Sequence, residues 1–385
     1  MSSAPPRRAD GRAPALARAP APGRAPAGSR ARWLARLAGP AALAAVLASC
    51  TAGQPTAVVA PAHASGGTSA TGGTARARAS TPAAGRPARS GTGGAALPRP
   101  AALPPFTRAA APGAGTWRAA GRPVHGMRAV YETRLVPPGG TGPAGIAWMD
   151  TRLLAARLYS GSLSPGGGPY RYTAPVQPAQ AATLVAAFNG GFQMKDAGGG
   201  YYTEGRTVVP LRRGAASLVI SVDGSVTVGA WGQDVSMGPG VVSVRQNLVL
   251  LVAGGRPTAQ AASADWRAWG NTCGAASCAA TVPGIDHQWR SGVGVTTDGA
   301  LVYAAGPGLD PLQLAQLLAR AGVVRGMELD INPDWPVFAS YDPPGGQGPA
   351  APANGSKLLG STVQGPWTFF EAAWARDFIT MSARG

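Results

Sequence analysis

Between Thr51 and Gly115 the 385-residue sequence holds almost nothing from which a core could be built: 52 of the 65 residues are Ala, Gly, Pro, Ser or Thr. Such a segment cannot bury enough apolar surface to offset the entropy lost on ordering. It is expected to be a disordered tether, reaching on the order of 45 Å if it behaves as a Gly-rich coil. The fold is thereby confined to the chain beyond Gly115. From Thr116 aromatic residues, β-branched runs and acids appear together, and the remaining stretch of about 270 residues is enough for one substantial core.

Charge separates the same two regions. The formal net charge is +17, yet residues 1–100 carry thirteen Arg against the single acid Asp10. Residues 101–385 carry nineteen Arg, two Lys and sixteen acids. The excess sits in a leader rather than on a folded surface, which argues against a nucleic-acid partner. An Arg-rich leader before the apolar run Trp33–Ala48 reads as a signal segment. That run, broken by Arg36, Gly39 and Pro40, is shorter than the ~20 residues a membrane span needs. It ends in Leu47-Ala48-Ser49-Cys50, which resembles a bacterial lipobox. Residues 1–50 are therefore expected to be a signal segment whose Cys50 is lipidated, placing the protein outside the cytoplasm and on a membrane through its N-terminus. The alternative is an ordinary signal peptide, or an uncleaved anchor, with an incidental cysteine. In an oxidising compartment the other two cysteines, Cys273 and Cys278, read as a small disulfide loop contributing roughly 2 kcal/mol.

The folded part, residues 116–385, reads as one α+β domain with a mostly antiparallel or mixed sheet and a few helices. Met127–Val136 has strand composition. Two Asp-Gly turns, at Asp223-Gly224 and Asp298-Gly299, predict β-hairpins with arms at 217–222 and 225–228, and at 293–297 and 300–304. Asp310-Pro311-Leu312-Gln313 supplies a capping box and an N-terminal proline. Leu314, Leu317, Leu318 and Ala321 then share one face, and Gly322 ends the helix. A shorter helix is expected over 177–185.

Three stretches set polar groups at strand ends. Asn189 with Gly190 and Gly191 closes an apolar run, and paired glycines let a backbone turn or approach a ligand closely; the alternative is a plain turn. Arg290 precedes small residues and could form a planar fork to phosphate or carboxylate, or sit exposed at a strand edge. Glu328, Asp330, Asn332 and Asp334 form a dense acidic run. On a strand Glu328 and Asp330 would share a face. The run suits general acid–base work, a Ca²⁺ site of oxygen ligands, or a solvated turn. No cofactor is otherwise implied, no transition-metal ligand set is evident, and no nucleophile elbow, phosphate loop or zinc-protease motif occurs.

In this order the three stretches resemble the phosphodiester glycosidase family over roughly residues 125–342. Asn189-Gly190-Gly191-Phe192, then Arg290 with Gly294 and Asp298-Gly299, then Leu329-Asp330 match its pattern. Where the family has Gly-Gly-Gly-Ser this chain has Ile331-Asn332-Pro333-Asp334, and Glu328 replaces the usual Asn. The resemblance implies a glycosidase acting on a sugar-1-phosphodiester or a related cell-envelope glycan bond. Asp330 would be its carboxylate, with Glu328 and Asp334 as further candidates. Arg290 would be the anion clamp; Asn189, Gly190, Gly191 and Asn332 would contact substrate. A non-catalytic envelope glycan-binding or scaffold domain is the other reading.

Labelling with a fatty-acid analogue is expected to mark the wild type and not Cys50→Ala; equal labelling of both excludes the lipobox.

Overall fold

The Asp298-Gly299 turn folds β13 (Gln288–Thr296) back onto β14 (Leu301–Leu309), with Val293 opposite Tyr303. This hairpin is the middle of an eight-stranded sheet. Its order is β1 (Arg118–Val124), β2 (Met127–Leu135), β3 (Ala144–Met149), β14, β13, β15 (Val323–Glu328), β11 (Leu250–Ala253), β12 (Arg256–Pro257). A five-stranded sheet runs β17 (Gly355–Lys357), β16 (Phe338–Tyr341), β5 (Leu184–Asn189), β18 (Phe378–Ala383), β4 (Leu154–Tyr159). A second one runs β7 (Arg206–Val209), β6 (Tyr201–Thr203), β10 (Val241–Gln246), β8 (Ala216–Ser221), β9 (Val226–Ala230). The computed structural model describes residues 95–263, Trp269 and 288–385. The signal segment, Cys50, Cys273, Cys278 and most of the tether lie outside the described residues.

Strand alternation sorts side chains into layers. On β14, Leu301, Tyr303 and Ala305 enter a core shared with the two smaller sheets, where they meet Phe188, Leu218, Ile220 and Ile379. Val302 and Ala304 point the other way, into a core covered by α2 (Pro311–Arg320). A third core, with Tyr159, Ala187, Phe369 and Phe378, lies against the β4–β5–β18 sheet. The helix begins as its sequence requires: Asp310 Oδ1 accepts the Gln313 N–H at 2.6 Å, and Gln313 Oε1 accepts the Asp310 N–H at 2.9 Å. It lies close on the sheet because β13 is small beneath it. A Cβ at Gly292 would come within 3.2 Å of Leu314 and 3.3 Å of Leu318.

Three expectations need correction. Every strand pairing between named strands is antiparallel, as expected of a mostly antiparallel sheet, but only two α-helices occur among the described residues, so the domain is mainly β rather than α+β. The helix expected over 177–185 is the single turn α1 (Pro178–Ala181). Leu184–Asn189 is buried throughout as β5, and a strand enclosed on both faces has an unbroken apolar run that carries no period. The tether expected to extend to Gly115 joins the domain at its C-terminal end. Leu97 is buried, and its N–H donates to Asp150 Oδ2 at 2.7 Å. Ala101 O accepts the Trp117 Nε1–H at 2.8 Å, and Phe106 stacks beneath the Arg320 guanidinium at 4.2 Å. A few large apolar residues spaced among Ala and Pro suffice to dock this strap.

Leu318→Ala, which empties space between α2 and β13, is expected to lower stability by ~2–5 kcal/mol, read as a lower urea midpoint with an unchanged slope.

Candidate functional site

The ends of all three sheets meet where β5 runs out. Asp377, just before β18, and Arg245, on β10, form a buried ion pair there: Arg245 Nε donates to Asp377 Oδ2 at 2.7 Å, with side chains 1% and 0% exposed. Arg245 also donates to the carbonyls of Gln246, at 2.6 Å, and Phe192. This pair explains the two glycines after Asn189. A Cβ on Gly190 would lie 2.2 Å from Asp377 Oδ2, and one on Gly191 would lie 2.9 Å from the Arg245 guanidinium carbon. The glycines are required by close approach of charged side chains to their backbone.

Asn189 ties β5 to the large sheet. Its Nδ2 donates to Ser291 Oγ at 3.0 Å and to Gly190 O at 2.8 Å. Its Oδ1 accepts from Tyr303 OH at 2.8 Å and from the Val337 N–H at 3.1 Å. All its polar capacity is used inside the protein. Ser291 in turn holds two residues of the facing chain. Its carbonyl accepts the Leu329 N–H at 2.7 Å, and its N–H donates to Asp330 O at 2.8 Å. Two residues set against one is the arrangement of a β-bulge, which re-aims side chains locally.

Asp330 is re-aimed into a pocket with Asn189, Gly190, Gly191, Trp335, Trp374, Arg376 and Asp377 in its wall. Its Oδ1 accepts the Asn332 N–H at 3.0 Å, and its Oδ2 pairs with the Arg376 guanidinium. Burial pushes the Asp330 carboxyl up to about 7, against the opposing pull of Arg376 and the Asn332 and Ile331 amides. Arg376 is fixed by Gly191 O at 2.9 Å and by the Trp335 ring at 4.9 Å; its Nε–H has no partner among the described residues. Trp335 and Trp374 meet edge to face at 5.5 Å. The whole pocket has a volume of ≈ 10 Å³, about what one water occupies.

Of the residues singled out in the sequence, Asn189, Gly190, Gly191 and Asp330 converge. Arg290 and Glu328 do not join them. Arg290 Nη1 donates to Glu328 Oε1 at 2.6 Å, both side chains are 0% exposed, and Arg290 Nε is held by Leu309 O at 2.7 Å. Burial raises the Glu328 carboxyl while Arg290 opposes it. Glu328 and Asp330 therefore occupy different surroundings, because the two-against-one pairing at Ser291 breaks the expected strand alternation. Asn332 and Asp334 are exposed in the turn. The turn's amides are taken by its own side chains: Asn332 N–H by Asp330, and Asp334 N–H by Asn332 Oδ1 at 3.0 Å. Among the described residues no three His, Cys, Asp or Glu side chains gather as a metal site. Arg245, Trp374, Arg376 and Asp377 lie outside the three glycine- or turn-flanked stretches that stand out in the sequence. Arg376-Asp377 directly before Phe378-Ile379, and Arg245 late in Val241–Gln246, were the available signals: charges abutting apolar strands.

Removing one partner of the buried Arg290–Glu328 pair is expected to cost ~3–5 kcal/mol, whereas Arg290→Met with Glu328→Leu should restore most of the loss. Chemical denaturation of the two single variants and the double variant measures this.

Residues 182–330 match the family described as phosphodiester glycosidase. No curated protein matches the chain. Among solved structures, it is similar to the zebrafish N-acetylglucosamine-1-phosphodiester alpha-N-acetylglucosaminidase catalytic domain auto-inhibited by pro-peptide. That likeness is at 15% identity and a TM-score of 0.39, covering 70% of this chain and 88% of that one. It is also similar to a hypothetical protein from Synechocystis at 12% identity and 0.36, covering 67% of this chain and 63% of that one. A Burkholderia pseudomallei protein matches at 14% and 0.33, covering 63% and 75%. Over residues 182–330, which contain Asn189, Arg290, Glu328 and Asp330, the chain matches the phosphodiester glycosidases.

Proposed function

We propose that this domain hydrolyses a sugar-1-phosphodiester or a related cell-envelope glycan bond, from outside the cytoplasm and tethered to a membrane through its N-terminus. The observation that carries the reading is the buried Asp330 carboxyl, raised to about 7, at the floor of a water-sized pocket rimmed by two tryptophans. A carboxyl poised near neutrality is suited to proton transfer at physiological pH. The tryptophan rim offers apolar faces for a sugar ring.

In this reading Asp330 takes a proton from water as the water oxygen attacks the anomeric carbon. The bond from that carbon to the phosphate oxygen breaks, and its electron pair leaves with the phosphate. A phosphate ester is already a stable leaving group, so a second carboxylate acting as general acid, usual for ordinary glycosides, is not required. Arg376 meets the phosphate charge, the part first expected of Arg290. Asn189 positions Ser291 and the Asp330 segment. The products are a free sugar and a phosphomonoester, and Asp330 returns its proton to solvent.

The glycan-binding alternative draws on the Trp335–Trp374 rim and on Asn189, whose hydrogen bonds are all internal. Released sugar separates the two readings. Incubation of the full chain with a panel of sugar-1-phosphodiesters is expected to release sugar, and Asp330→Asn to lower turnover by at least ~10²-fold. No release from any member of the panel, or an unaffected variant, sinks the enzyme reading.

Activity of the wild type should rise with pH through an inflection near 7. Stability should move the other way. The folded carboxyl lies above its unfolded value of ~3.9, so its stabilising contribution is complete below that value and is lost as pH rises through about 7. Asp330→Asn should flatten this part of the stability profile, seen as thermal midpoints across that range.

A further inference from the structure

A second concavity shares no lining residue with the Asp330 pocket. It is a groove of ≈ 810 Å³ between β4 and β18 on one side and β6, β8 and β10 on the other, large enough for a small ligand or part of a chain. Strand β18 connects the two places. Asp377 precedes it at the pocket, and Thr380 and Ser382 lie in the groove. Five residues of extended chain, from Asp377 to Ser382, span roughly 16 Å.

The groove is built around Tyr172. The Arg157 guanidinium stacks 4.0 Å from its ring centre, and that of Arg171 lies at 5.3 Å. Stacking fixes the plane of a guanidinium and leaves its N–H donors at the rim. Neither arginine has a carboxylate at ion-pair distance among the described residues. Tyr172 is itself anchored. The Glu204 carboxylate accepts the backbone N–H groups of Arg171 and Tyr172, each at 3.0 Å. Glu204 does so from the turn between β6 and β7 with φ 51°, a left-handed conformation unfavourable for a non-glycine residue. Thr183, Ser221 and Ser382 line the groove with hydroxyls, and half-buried Tyr202 adds an aromatic face. Gln180 Oε1 is buried without a partner among the described residues.

We propose that this groove binds an acidic oligosaccharide. Its carboxylate or phosphate would lie against Arg157 and Arg171, its hydroxyls against Thr183, Ser221 and Ser382, and a ring face on Tyr202. A bare anion would leave the row of hydroxyls unmatched. A strand as densely charged as nucleic acid would be repelled by Glu204 and Asp223, which also line the groove. The inference does not rest on hydrolysis at Asp330.

Isothermal titration of the full chain with trigalacturonate, maltotriose and inorganic triphosphate tests it. Trigalacturonate should bind the wild type and Asp330→Asn alike. Arg157→Gln, at an exposed position, should weaken binding by about tenfold or more, the scale of one charge-assisted hydrogen bond, without moving the thermal midpoint. Glu204→Gln, which keeps the shape but weakens the anchor of Tyr172, should weaken binding to a smaller degree. Maltotriose and triphosphate should each bind at least about tenfold more weakly than trigalacturonate. No binding of trigalacturonate into the millimolar range, equal affinity for either control, or an Arg157→Gln variant that binds as the wild type does would overturn the proposal.

Discussion

The buried ion pair between Arg245 and Asp377 is the constraint around which the site is arranged. It joins β10 of one sheet to the start of β18 in another, with both side chains removed from water. Two charges in such a place are tolerated only when their hydrogen-bonding capacity is filled, and here the Gln246 and Phe192 carbonyls help fill it. Packing the pair against the chain after β5 excludes side chains at Gly190 and Gly191. With those glycines in place, Gly191 O can receive Arg376, and Arg376 can reach Asp330. The placement of Asp330 beside Arg376 thus depends on a salt bridge that Asp330 does not touch.

The turn after Asp330 offers different groups from those of a glycine-rich turn. Successive free backbone N–H groups can form a cradle for phosphate. In Ile331-Asn332-Pro333-Asp334 the proline has no N–H to offer, and the Asn332 and Asp334 amides face side chains of the same turn. A rigid, aromatic-stacked arginine beside the carboxylate stands in the pocket instead. Such a group offers directional donors without requiring a particular backbone conformation.

Much of the fold was legible because local chemistry and global architecture agree. Asp223-Gly224 and Asp298-Gly299 mark real hairpins, and the capping box at Asp310 opens a real helix. What could not be read has two physical causes. A strand buried on both faces, as Leu184–Asn189 is, has no alternation to distinguish it from a helix. A site assembled from three sheets takes residues from segments with no local signature, and Arg376 and Asp377 gain their roles only through contacts with Asp330, Gly191 and Arg245. The acidic run showed the opposite failure. Glu328 and Asp330 look alike in sequence, but one faces a buried arginine and the other the pocket, because Ser291 pairs with two residues at once.

The docked strap has a mechanical consequence. Leu97 is held through one hydrogen bond to Asp150 and a shallow apolar seat, and Trp117, Arg99 and Phe106 add a succession of separate contacts behind it. A pull applied through the chain N-terminal to Leu97 would load these contacts one after another, like a strip being peeled, before it reached the eight-stranded sheet. Each contact released lengthens the connection by a few residues, and the contacts at Pro104 and Phe106 bear on Arg320 at the end of α2. Contacts arranged in series along the strap would thus give way singly under such a pull, rather than all at once.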